Sequence, residues 1–314
     1  MGAALMAVMH GFKLGETEQV ITDRMVSMTL GGTFRHFGIV LFAVILEIVA
    51  SNALAATRAG SVTFLTGEVS ITHAGGAAQP AAQGVELLAG DTITTGADGE
   101  LQAELEDGGM IAVRSNSVFR IDDYKAEGEE TDSSIFSLLK GAARSVTGFI
   151  GKISPANYQI NTPTATIGVR GTDHEIVVIP EGQAGADEIV GTHDRVYEGE
   201  TFIQAGGNSI DIKEGQAGFY NATLSGRPKL HDRIPAFIER RRSRHDDRVE
   251  NYRRNVIERI ENKLRQRGKL QNGETLRDYI QHRREQGPGA SNTRPERFKA
   301  KIRREMRRRR HLDN

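Results

Sequence analysis

Asp173-His174-Glu175 sets an imidazole between two carboxylates, residue types that can hold a metal ion or pass protons. Neighbours on a strand point to opposite faces, so these three side chains cannot converge on one site. The spacing predicts an exposed strand-end histidine instead. His73 and His193 are the other histidines of residues 57–225. The acidic run Asp122, Asp123, Glu127, Glu129, Glu130 and Asp132 offers oxygen ligands, but without the intervals and glycine turn of a calcium loop, and reads as a solvated loop between strands. No G-x-S-x-G elbow occurs, nor a glycine loop leading into Lys-Ser/Thr. Cysteine is absent, which excludes a thiol nucleophile, a thiolate metal site, a disulfide framework and a lipidated cysteine. The expectation is a non-enzymatic protein with no catalytic, cofactor-binding or metal-ligating residues.

The elements that carry these residues divide by charge. Residues 1–226 hold 13 Lys/Arg against 28 Asp/Glu and residues 227–314 hold 28 against 13, so the net charge of zero is a cancellation between −15 and +15. Two parts with different physical roles are expected.

Arg35 and His36 precede the apolar run 37–46, and Ala53-Leu54-Ala55 follows. That order is the secretory pattern of positive flank, short apolar run and A-x-A site. The run is short for a membrane span and is followed by Glu47. Residues 28–55 are expected to be a signal peptide cut after Ala55, with translation starting at Met28 or Met25. Residues 1–27 are then an upstream extension or disordered. The expected location is the periplasm or cell envelope.

From Ala56 short β-branched runs alternate with Gly, Asn and Asp, as in Ser61–Leu65, Glu68–Thr72, Leu101–Leu105, Val118–Ile121, Glu175–Ile179 and Ser209–Ile212. Alternation predicts strands with one buried face, packed as a β-sandwich or β-roll over residues 56–226. Ser134–Gly141 reads as another strand, with a turn-rich return from Gly141 to Gly151. Beyond Ile234 the period becomes helical. Val249, Tyr252, Val256, Ile257, Ile260 and Leu264 form a narrow apolar stripe, a second short helix spans 274–286, and a linker lies near 287–294. The basic helical tail, 227–314, carries Arg240, Arg241 and Arg242 and the run Arg307, Arg308, Arg309 and Arg310. Such cations suit an anionic envelope surface or the protein's own acidic part, and a thin stripe suits self-association. No nucleic acid is expected.

Gly60-Ser61-Val62, Gly67-Glu68-Val69, Leu88-Ala89-Gly90-Asp91, Thr94-Thr95-Gly96, Glu106-Asp107-Gly108-Gly109 and the stretch from Asn161 to Thr172 follow one another in an order that resembles the FecR domain. The family signature falls on Thr162, Pro163, Gly168, Val169, Arg170, Gly171 and Thr172. Glycines at 90, 96, 108, 168 and 171 sit where turns need positive φ or close backbone approach. Asp91, Asp98 and Asp107 sit where a short carboxylate accepts backbone N–H groups. Arg170 is expected to turn inward onto a carboxylate such as Asp107, the alternative being a cation presented at a tight turn.

The resemblance implies a periplasmic interaction domain, known in regulators that relay receptor occupancy to a sigma factor. Such a relay needs a cytoplasmic segment ahead of a spanning helix, and residues 1–34 look too short and featureless to provide one. The leading expectation is therefore an envelope binding or scaffold module. Its β domain would dock a protein partner, by adding a strand at an exposed edge, and its tail would grip anionic material. The alternatives are a FecR-type transmembrane signalling regulator acting on a sigma-factor pathway and, third, an envelope enzyme.

Overall fold

Seventeen strands account for the β-branched runs: β1 (Arg58–Thr66), β2 (Val69–Thr72), β3 (Ala78–Pro80), β4 (Glu86–Leu88), β5 (Thr92–Thr95), β6 (Glu100–Leu105), β7 (Met110–Val113), β8 (Val118–Lys125), β9 (Ser133–Val146), β10 (Tyr158–Asn161), β11 (Thr166–Val169), β12 (Asp173–Ile179), β13 (Gly191–Glu198), β14 (Glu200–Ala205), β15 (Asn208–Lys213), β16 (Ala217–Tyr220) and β17 (Lys229–Leu230). The helices among the described residues are α1 (Phe149–Ile153), α2 (Ala236–Arg240), α3 (Asp246–Arg254), α4 (Val256–Gln266) and α5 (Leu276–Gln286). The structure is a computed structural model that describes residues 56–223, 226–241 and 245–286. The expected leader and its cut, the extension 1–27, the linker near 287–294, Arg242 and Arg307 to Arg310 lie outside the described residues. Among those residues no helix is long and apolar enough to cross a membrane.

The strands form two layers that share β9. The first runs β4-β1-β6-β7-β9-β12-β13-β16-β17 and is antiparallel throughout. The second runs β3-β2-β5-β8-β9-β10-β11-β14-β15, with β9 and β10 parallel and every other pair antiparallel. One apolar cluster spans both layers, with Leu101, Ile111, Ile176 and Val178 from the first and Ile93, Phe119, Phe136 and Ile167 from the second.

β9 crosses from one layer to the other at Gly141. Up to Lys140 it pairs with β8, and from Gly141 onward with β12. Gly141 has φ +87°, and a Cβ there would sit 2.2 Å from the Ser117 Oγ. Only glycine fits both the conformation and the approach. The expected turn-rich return is therefore corrected: Gly141 bends the strand, and 142–146 continue it.

The expectation that strands bury a single face holds for β2 and β8, which alternate. It fails for β7 and β12, whose residues are all buried, and β6 comes close. The cause is the tail, which closes over the outer face of the first layer instead of trailing into solvent. Phe237 and Ile238 of α2 pack on Ala142, Val177, Ile179 and Ala217. Val249, Tyr252, Val256, Ile260, Leu264, Leu270, Leu276 and Tyr279 join the main apolar cluster. The stripe read as a seam for self-association is thus spent on the chain's own body, while Ile257 stays 46% exposed.

Candidate functional site

The register of the first layer puts alternate residues on its outer face. Glu175 lies opposite Arg144 and Val177 opposite Ala142 across β12 and β9, Ala112 opposite Arg144 across β7 and β9, and Gln102 opposite Ala112 across β6 and β7. With period two, Glu100, Arg114, Arg144, Asp173 and Glu175 share that face. A polar alternation of this kind normally marks a solvated surface. Here it is roofed by α3 and almost wholly buried.

Two guanidinium groups organise it. Arg114 donates hydrogen bonds to Glu100 and Glu175, each at 3.0 Å, and forms an ion pair with Asp246 of α3 at 2.6 Å. Arg144 grips both oxygens of Asp173 at 2.8 and 2.6 Å, reaches Glu250 of α3 at 2.7 Å, and lies 4.1 Å above the Tyr197 ring. The Tyr197 hydroxyl donates to Glu175 at 2.9 Å. Burial pulls both guanidinium groups toward neutrality, yet the surrounding carboxylates prevail and hold both above the ordinary arginine range. Burial pushes the Tyr197 hydroxyl well up, and neighbouring Glu175 adds to it. Glu250 is lowered: burial raises it, but the bonds from Arg144 and Arg253 outweigh that. At neutral pH Arg114, Arg144 and Glu250 are therefore charged and Tyr197 is neutral, which suits an ionic lock and not proton transfer.

On the opposite face of β12, His174 is completely buried and bonds Asp194 at 2.8 Å, whose other oxygen accepts the Thr201 hydroxyl. The exposed strand-end placement of His174 is corrected. Its partner comes from β13, a strand that the sequence reading did not identify. Asp173 and Glu175 diverge from it, as strand geometry requires.

The signature residues fall in two places. Thr162 closes the β10–β11 turn on Ala165, and its hydroxyl meets that of Thr192 at 2.7 Å. Pro163 and Thr164 border a groove of about 220 Å3 with Leu139, Val178, Ile179, Pro180 and Val190, in which Glu181 is the one titratable lining residue. Gly168 and Val169 are buried in β11, and the Thr172 N–H donates to the Thr147 hydroxyl at 2.8 Å. Arg170 is exposed and pairs with Glu200 at 2.9 Å, so the inward pairing with Asp107 is corrected. Asp107 is fully buried. It accepts the Gly109 N–H at 3.0 Å, and burial raises its pKa. Asp91 accepts the Leu88 N–H and Asp98 that of Glu68. Gly90, Gly108 and Gly171 take positive φ, whereas Gly96 and Gly168 do not.

The acidic run is also more ordered than a solvated loop. Asp122 and Asp123 belong to β8, and buried Asp132 accepts the N–H groups of Glu127, Gly128 and Glu129. Tail cations turn to the body's acids: Arg240 meets Asp187, Arg241 meets Glu188, Arg259 meets Glu104, and Lys269 meets Glu129. Among the described residues no three His, Asp or Glu side chains are arranged to hold a metal ion. The signal that could have led to the arginine pair was a lone arginine inside small or apolar residues, as in Gly141-Ala142-Ala143-Arg144 and Ile111-Ala112-Val113-Arg114.

Residues 91–189 match the family described as FecR protein. No curated protein matches the sequence. Among solved structures, the chain is similar to a candidate anti-sigma factor from Parabacteroides distasonis, at 12% identity and TM-score 0.36, over 47% of this chain and 62% of that one. The chain therefore spans less than two thirds of that structure. A cell surface anchoring domain matches at 24% identity and TM-score 0.19, over 20% of this chain and 82% of that one. At these TM-scores neither likeness bears on fold or function.

Proposed function

We propose, from the match of residues 91–189 to the FecR family, that the chain works as a FecR-type regulator of the bacterial cell envelope. In this reading it is exported, does no catalysis, receives a protein partner on its β body, and has its occupancy read out by a sigma-factor pathway. The family match over residues 91–189 carries the proposal. In support, the buried ionic groups of the first layer are engaged with one another, and a groove with Glu181 as its one titratable lining residue has too few convergent groups for acid–base chemistry. Gripping of an anionic envelope surface by the tail gains no support from Arg240 and Arg241, which face carboxylates of the body.

Two measurements test this. Deleting the gene is expected to change transcripts dependent on one sigma factor and restoring it to reverse the change; an unaltered transcriptome would sink the regulatory reading. Fractionation is expected to release a protein beginning at Ala56 by osmotic shock, and full-length protein in the cytosol would sink the export reading.

A further inference from the structure

Across most of the junction between tail and body, tail cations meet body carboxylates. Arg259 pairs with Glu104, Arg267 with Glu106, and Lys269 with Glu129. Under α3 the same polarity holds for Arg253, which meets Glu198 at 2.8 Å and Asp173 at 3.5 Å, but a second pair of contacts reverses it. A helix rich in arginine brings down two carboxylates four residues apart, Asp246 and Glu250, onto the two body arginines. Four-residue spacing places both on one helical face, with Val249 buried between them. The contact is thus specified residue by residue, whereas bulk attraction between a basic tail and an acidic body would be met by the cations alone.

The face under α3 also tolerates being uncovered. With α3 lifted, Arg114 keeps Glu100 and Glu175, and Arg144 keeps Asp173. Water solvates such paired groups readily, while a face of leucines would aggregate or collapse. A buried ionic contact of this kind adds little net stability but fixes register and partner, a property suited to an exchangeable occupant.

We propose that Arg114 and Arg144 form a receptor for an acidic helical segment of a protein partner, with carboxylates at positions i and i+4 and an aliphatic residue at i+3. α3 is its built-in occupant and yields to the partner. The biological use of this exchange rests on the regulator reading, but the receptor can be tested without it.

The test uses the chain from Ala56 to Asn314 and, as probe, a fluorescent peptide with the sequence of residues 245–255. In the Asp246→Asn/Glu250→Gln chain the built-in occupant loses its charges, so the competent fraction rises and the peptide is expected to bind about tenfold or more tightly than to the unaltered chain. Amide exchange is expected to quicken in α3 and stay unchanged in α4 and α5. A probe with Asn and Gln at its own two carboxylate positions is expected to lose the gain. Arg144→Lys in the unlocked chain keeps the charge without the fork and is expected to weaken the peptide several-fold. Equal affinity of both chains for the peptide, unchanged protection of α3, or indifference to Arg144→Lys would each overturn the proposal. A positive exchange with an unaltered transcriptome would leave the receptor standing and refute only the regulator reading.

Discussion

Arg144 is fully buried, and its guanidinium is bonded to Asp173 in the body and Glu250 in the tail. Truncating it removes the forked bond to buried Asp173 and leaves that carboxylate only Arg253, at 3.5 Å, so Arg144→Ala is expected to destabilise the chain by about 3 kcal/mol. Replacing both partners, Arg144→Met with Asp173→Leu, should cost less, because no charge is stranded. Urea unfolding of both variants checks the ordering; a double variant less stable than Arg144→Ala would contradict it. His193 supplies the pH dependence. Its Nε2–H donates to the Ile189 carbonyl at 2.7 Å, leaving Nδ1 to accept the His231 Nε2–H at 3.0 Å. Burial above all, helped by His231 and Arg241 and opposed by the Ile189 carbonyl and Glu188, lowers its pKa to about 4. A folded pKa depressed below the ordinary 6.5 means that the unfolded chain binds the proton first. Stability should therefore fall as pH drops from about 6.5 to about 4, by about 3 kcal/mol in total. Unfolding midpoints at pH 7 and 4.5 are expected to lie closer together in His193→Gln than in the unaltered chain. At this scale the sequence misled in a definable way. Arg170 drew attention because a motif surrounds it, yet it pairs at the surface, while Arg144 within β9 and Arg114 just past the end of β7, which fix the tail, lie outside any motif.

Among the elements, those with apolar alternation were legible and those with buried charge were not. β8, β12, β14 and β15 follow β-branched runs visible in the sequence, and β6 follows the apolar alternation of Leu101, Ala103 and Leu105. β13, Gly-Thr-His-Asp-Arg-Val-Tyr-Glu, does not announce itself, because Val196 is the one aliphatic among its buried side chains, and buried His193 and Asp194 find their partners elsewhere in the fold. α4 shows how a short motif acquires meaning from a distant element. Tyr252 of α3 donates to the carbonyls of Gly108 and Gly109, and a Cβ on Gly108 would lie 3.2 Å from the Ile260 Cα. Gly108→Ala is therefore strained by φ +75° and also presses its methyl tightly against α4. Gly182 has nearly the same φ, +73°, and open space around it. Gly182→Ala is expected to cost about 1–2 kcal/mol from backbone strain alone. Gly108→Ala should cost measurably more and raise amide exchange across α4. Equal losses in the two variants would show that α4 does not depend on that approach.

For the molecule as a whole, the division at residue 226 was legible in charge and misleading in structure. A composition of opposite sign reads as two bodies, and the sequence alone suggests that the β domain would stay folded without its tail. The arrangement of the apolar side chains argues otherwise. Phe237, Ile238, Val249, Val256, Ile260, Leu264, Leu270 and Leu276 are all buried against the body. Each contributes about 1.5–3 kcal/mol on burial, so together they are of the same order as the roughly 5–15 kcal/mol by which a domain is stable. Part of that gain is offset by ordering the tail itself. The remainder still leaves the outer face of β9, β12 and β16 bare of its cover, with Val177, Ile179 and Ala217 turned to water. A chain ending at Gly226 is expected to lose its cooperative thermal transition or to associate through that face. A chain ending at Gln286 keeps every buried side chain named here and should melt within a few degrees of the full chain, since about 1 kcal/mol shifts the midpoint of a domain this size by roughly 2–4 °C. Calorimetry with light scattering on the two truncations decides the matter. A soluble, cooperatively melting chain cut at Gly226 would mean that the acidic body stands without its basic roof.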